Sequence, residues 1–163
     1  MSVALRTGQI THATMRLVKA AKAAKAVVKA AKAAKAAKAV KEYNTIKSAM
    51  RAIIQEIGFG HTEAVYQRAL TVELMLKRVA SMTEVAVPFF TRGVCVGLGR
   101  IDILTANHLI ELKSVAMTKG LLARTQQQTR KYLTAMKKVN DRLRRGVLIV
   151  IDSVSLKVFI RFA

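Results

Sequence analysis

The chain has 163 residues, with 29 Lys and Arg against 9 Asp and Glu, a formal net charge of +20 and a pI near 10.9. That length suits one ordinary domain, or a small domain plus a tail. The charge argues against a neutral metabolic enzyme and points to a polyanion, while the single cysteine, Cys95, excludes an internal disulfide and a Cys-cluster zinc site.

Alanine inflates the mean hydropathy of +0.25. No apolar run approaches the ~18 residues of a spanning helix, so the chain reads as soluble and basic. Residues 1–50 hold all but one of their charges as Lys and Arg, the exception being Glu42. Within them Lys19, Lys22, Lys25, Lys29, Lys32, Lys35, Lys38 and Lys41 repeat in a Lys/Ala text. On an α-helix these lysines wind roughly 320° around the axis, so no apolar stripe survives. Lysine and alanine both favour helix, which makes the tract a helical or disordered extension able to neutralise nucleic acid. Its texture resembles the terminal tails of linker histones in composition alone. A solvated helical spacer is one alternative. An import presequence is another, because residues 1–41 lack acids and include Arg6 and Arg16. A peripheral membrane helix is disfavoured by the missing apolar face.

From about Thr45 the composition becomes globular. Ile46, Met50, Ile53, Ile54 and Ile57 predict a helix stopped by Gly58 and Gly60. A second helix is predicted over residues 61–79, with Val65, Ala69, Val72, Leu76 and Val79 facing the core. Val85–Phe90 reads as a strand that Pro88 marks as an edge or a bulge. Gly93, Gly97 and Gly99 predict a bend before a second strand at residues 100–104. After a turn at 105–108 come a strand at 108–115, a helix at 119–138 and strands at 146–152 and 156–162. The order is α-α-β-β-β-α-β-β, within a domain of residues 45–163 preceded by an extension of residues 1–44.

Strand alternation puts Arg100 and Asp102 on one face, and likewise Glu111 and Lys113, opposite Ile101, Ile103, Ile110 and Leu112. Pairing through the 105–108 turn brings Asp102 near Glu111. Buried carboxylates need neutralisation, for which Mg²⁺ or Mn²⁺ suits oxygen ligands and Lys113 can orient or deprotonate an attacking water. Glu63, Tyr66, Leu70 and Glu73 share a helix face, so Glu63 can add a third carboxylate; Gln128 and Tyr132 are i,i+4 neighbours. The plainer reading makes Glu111–Lys113 and Asp102–Arg100 ion pairs, Glu63 a first-turn acid and Glu73 a structural acid paired with a base. His12, His61 and His108 lack ligand spacing and read as turn or surface residues, and Cys95 reads as a small strand residue.

Gly60-His-Thr-Glu63-Ala-Val-Tyr66, Arg100-Ile-Asp102, Ile110-Glu111-Leu-Lys113, Gln128-x-x-x-Tyr132-Leu133 and Gly146-Val-Leu-Ile occur in the order and spacing of one family. Over about residues 45–163 the chain resembles the GxxExxY proteins, a family of the PD-(D/E)xK nuclease superfamily. The resemblance implies a restriction-endonuclease-like α/β core, a mixed sheet flanked by helices, that cuts DNA with Mg²⁺. It implies metal at Asp102 and Glu111 assisted by Glu63, a catalytic Lys113, and Gln128, Tyr132, Tyr66 and Arg100 lining the site. Val150-Ile151 departs from the family's Asn-Phe, as does the glycine-rich approach to Asp102; neither touches a supposed catalytic position.

Arg124, Arg130, Lys131, Lys137, Lys138, Arg142, Arg144 and Arg145 cluster near the implied site and can follow a phosphate backbone. With no Trp, three Tyr and five Phe, the aromatics are few, which favours duplex or branched DNA over stacked single strands, with RNA left open. The expected protein is an intracellular deoxyribonuclease, nuclear, nucleoid or virion-associated, or mitochondrial if the N-terminus is a presequence. A double-strand cutter of this size calls for a homodimer. The alternative from another class is a non-catalytic DNA-packaging protein on the same fold.

Overall fold

The computed structural model describes residues 4–140, 143 and 145–163, with side chains from residue 15 onward apart from Arg16. Arg142 and Arg144, and the side chains of Arg6, His12 and Arg16, lie outside the described residues. Helix α1 spans Ala4–Ile57 and passes through two units of the chain, residues 1–38 and 39–163. Between Gly8 and Gly58 no glycine or proline interrupts it, so the helix predicted from Thr45 has no start signal of its own. In the first unit every described residue from Met15 to Lys38 is exposed, as lysines on all sides require.

In the second unit, α1 buries Ala39, Ile46, Ala49, Met50 and Ile53 along one stripe and ends at Gly58 and Gly60, whose φ of 74° and 97° suit glycine. Then follow α2 (Glu63–Leu76), β1 (Ser81–Thr91), β2 (Val94–Thr105), β3 (His108–Ser114), α3 (Lys119–Lys137), β4 (Arg145–Asp152) and β5 (Lys157–Phe162). The strands form one mixed sheet in sequence order, with β3 and β4 parallel and all other neighbours antiparallel. Apolar residues cover both faces. Ile103, Ile110, Leu112, Val147, Ile149 and Ile151 pack with α1 and α2, while Val87, Ile101, Leu104 and Leu109 pack with Met136 and Leu133 of α3. This is the restriction-endonuclease-like α/β arrangement, and α-α-β-β-β-α-β-β is its order. Among the described residues no helix is long and apolar enough to cross a membrane.

Three expectations need correction. The core face of α2 is Tyr66, Leu70 and Leu74, while Val72 and Leu76 are exposed. Two apolar stripes compete on this helix, and burial against Met50 and Ile53 decides between them. No bend separates Gly97 and Gly99 from the second strand. Gly93 (φ 83°) makes the turn, β2 runs through both glycines, and a Cβ at Gly99 would overlap the Tyr132 ring. His108 is buried, not a surface residue. Pro88 does lie on an edge strand, beside a register shift between Phe89 and Phe90.

His108 is buried because Glu42 reaches the β2–β3 turn. The Glu42 carboxylate accepts from Asn107 N at 3.2 Å, from Asn107 Nδ2 at 2.6 Å and from the Thr105 hydroxyl, and it meets His108 Nδ1 at 2.9 Å. Burial works against the Glu42 charge, but these hydrogen bonds outweigh it and hold its pKa below the ordinary 4.5. Glu42 therefore contributes stability that is present above pH 4.5 and lost as the pH falls through the depressed value. Glu42→Ala is expected to cost about 3 kcal/mol near neutral pH by orphaning buried donors. In melts at decreasing pH the variant should also lose part of the native protein's acid sensitivity. Parallel stability profiles for the two proteins would contradict the clamp.

Candidate active site

Asp102 sits where the sheet opens. Strands β2 and β3 pair at Ile103–Ile110 and Leu104–Leu109, and beyond Asp102 they part. The Leu112 amide, left without a β2 carbonyl, donates to Asp102 Oδ2 at 2.7 Å. On the other side the β1–β2 ladder skips Glu84 and Asp102, and Glu84 has a positive φ of 56°. Gln67 of α2 fills this gap, donating to the Asp102 carbonyl at 2.9 Å and to Glu84 Oε1 at 2.7 Å. Arg100 Nε meets Glu84 Oε2 at 2.6 Å, so the Asp102–Arg100 ion pair of the plainer reading is replaced by one to Glu84. Glu63, Gln67, Glu84, Arg100 and Asp102 line one cleft.

The two-residue strand period brings Glu111 and Lys113 to the same place. Lys113 Nζ lies 3.1 Å from Glu111 Oε1, 3.0 Å from Glu63 Oε1 and 3.9 Å from Asp102 Oδ2, and donates to Leu112 O at 2.8 Å. Thus the four residues expected to carry chemistry converge. Gln128 donates to Glu111 Oε1 at 3.4 Å and to the Tyr132 hydroxyl at 3.0 Å, so α3 reaches the same carboxylate. Tyr66 is placed differently: it is fully buried and donates to Gly58 O at 2.9 Å, bracing the α1–α2 turn. Glu73 pairs with Lys77 at 3.2 Å.

Charge is concentrated here at little exposure. Glu111 is 1% exposed, and its Oε2 has no hydrogen-bond partner. Burial first, and the nearby Asp102 charge second, push Glu111 up to about 7. Burial also raises Asp102, against the opposing Leu112 hydrogen bond and Lys113 charge. For Lys113 burial opposes ionisation, but the charges of Glu111, Asp102 and Glu63 outweigh it and raise the pKa.

A model of the PD-(D/E)XK nuclease superfamily matches residues 40–161. The chain belongs to that superfamily. Comparison with curated proteins and with solved structures gives no significant match. PD-(D/E)XK nucleases typically use divalent metal ions. The donor set of this superfamily member suits one: Asp102 and Glu111 offer hard oxygens, and the buried, unpartnered Glu111 Oε2 is an atom a cation would satisfy. Among the described residues no trio of His, Cys, Asp or Glu is arranged to enclose an ion. The fit is to an open site with two protein carboxylates and water, as Mg²⁺ prefers.

Sequence reasoning missed Gln67 and Glu84. Gln67 had a signal, standing four residues after Glu63 on the same helical face. Glu84 had none, because its place depends on a local break in β1. A stability experiment reports on the buried charge. In metal-free protein, Glu111 contributes stability present below pH 4.5 and lost as the pH rises through about 7, a difference on the order of 3 kcal/mol. Glu111→Gln in EDTA should therefore melt several degrees higher than the native protein above neutral pH, and converge with it in acid. A variant melting no higher above neutral pH would contradict this.

Proposed function

We propose that the chain is a Mg²⁺- or Mn²⁺-dependent deoxyribonuclease of the GxxExxY type, with Asp102 and Glu111 as metal ligands and Glu63 completing the site. The observation that carries the reading is one ammonium, Lys113, within 4 Å of three carboxylates beside a buried carboxylate oxygen without a partner. A divalent ion there would supply a water of lowered pKa and positive charge for the scissile phosphate. The rest belongs to the chain. Lys113 positions the attacking water and stabilises charge on the phosphate. Glu63 holds the Lys113 ammonium, while Gln128 and Tyr132 orient Glu111. Gln67 fixes the backbone of Asp102.

Exposed Arg124, Arg130, Lys131 and Lys137 of α3, with Lys138 at its C-cap, supply phosphate contacts, and the lysines of residues 19–41 add sequence-independent affinity. Arg145 stacks on Phe162, its guanidinium 4.3 Å from the ring centroid. The test is nicking of supercoiled plasmid with Mg²⁺ or Mn²⁺. Asp102→Ala is expected to reduce it by on the order of 10²–10³ while leaving plasmid binding within a few-fold. Equal nicking by variant and native protein would remove Asp102 from the site. The lysine-covered first unit favours a second reading, a DNA-packaging protein, which absence of cutting with either ion would select.

A further inference from the structure

Between the end of β1 and the outer side of α3 lies a groove of about 580 Å³. Phe89, Phe90 and Met136 give it an apolar, partly aromatic wall, and Arg130, Lys131 and Lys138 stand along it. Among the described residues no acidic side chain lines it. Phe90 is 63% exposed, so its ring adds to an apolar patch open to solvent on this wall. Phe89 continues inward to Tyr132, the ring centroids 6.0 Å apart, and the Tyr132 hydroxyl receives the Gln128 amide that also meets Glu111. The groove is therefore joined to the carboxylate site through a chain of side chains. Arg130, Lys131 and Thr134 lie about 3–9 Å along the α3 axis from Gln128.

We propose that this groove holds an unpaired nucleotide segment of the substrate, so that the enzyme acts on DNA with a single-stranded portion, such as a flap, gap or tail. This rests on the nuclease reading above. Exposed aromatic rings bind the faces of bases, and stacking contributes about 1–3 kcal/mol per base. In a duplex those faces are covered by neighbouring base pairs, and a protein meets only groove edges and phosphates. The three cations complement a phosphate backbone. The chain's few aromatics thus count for more than their number, because Phe89, Phe90 and Tyr132 stand together beside the basic face of α3.

The test is the affinity of the full chain, in EDTA and moderate salt, for a fluorescent oligothymidylate and for a blunt duplex of equal length. Phe90→Ala should weaken single-strand binding roughly 5- to 100-fold, the equivalent of one stacked base, with duplex affinity within about twofold. Phe90→Tyr should restore it. Lys131→Ala should weaken both ligands alike. Because Phe90 is exposed, unchanged melting of Phe90→Ala confirms an intact fold. Unchanged single-strand affinity, or equal loss for duplex and single strand, overturns the proposal. So does a Phe90-dependent affinity for oligoglutamate that exceeds that for the single strand, which would assign the groove to an acidic protein partner. The two readings fail separately. Cutting by native protein with no Phe90 selectivity removes the groove alone, whereas Phe90 selectivity without cutting removes catalysis and leaves a single-strand binding site.

Discussion

Replacing Lys113 by methionine is expected to lower metal-dependent nicking by on the order of 10²–10⁴, with only a few-fold change in plasmid affinity. Methionine keeps an unbranched apolar stem, so what is removed is the ammonium. That group lies within 4 Å of Glu63, Asp102 and Glu111 and is the only cation so placed among the described residues. Its loss leaves like charges together at low exposure, and metal-free Lys113→Met should melt below the native protein. Added Mg²⁺ or Mn²⁺ should then raise its melting temperature more than that of the native protein, because an ion becomes the sole neutralising charge. Nicking at the native rate would remove Lys113 from the chemistry. A metal-induced shift smaller than the native one would place the ion away from Glu111 and Asp102.

Deleting residues 1–38 is expected to flatten the salt dependence of DNA affinity without changing the rate of nicking at saturating protein. For every phosphate no longer neutralised by a lysine, the slope of log affinity against log salt falls by about 0.9. The lysines wind around the helix, so roughly three or four can meet one duplex at once, giving a slope change of about 3. Between low and physiological salt that is an affinity difference on the order of 10². An unchanged slope would make the tract a spacer or a presequence. A slower nicking rate at saturation would show that it contributes to the reaction rather than to capture.

The site was legible in the sequence where its geometry is local. Asp102, Glu111 and Lys113 lie on strands whose two-residue period is visible as alternation with Ile101, Ile103, Ile110 and Leu112, and a two-residue turn joins the strands. The lysines of the first unit were equally legible, since winding around a helix is arithmetic. What stayed hidden depends on partners distant in the chain. The buried stripe of α2 could not be told from its apolar rival until α1 covered it. Burial of His108 depends on Glu42, 66 residues earlier. Glu84 reaches Arg100 and Gln67 only because β1 leaves its ladder there, and no residue pattern announces that irregularity. Gly99 read as a bend because the ring that needs its missing side chain belongs to α3.

The Glu42 clamp also sets a limit on how far the chain can be shortened from its basic end. The carboxylate follows directly on Lys41, the last lysine of the repeat, and secures the turn that leads into the strand bearing Glu111 and Lys113. A protease that cuts after lysine can therefore trim the repeat as far as Lys38 without reaching the second unit, whose first residue, Ala39, is buried. Its next cut after Lys41 falls at Lys47, which removes Glu42 and frees the β2–β3 turn. The exposed repeat and the packed domain thus overlap between Ala39 and Glu42.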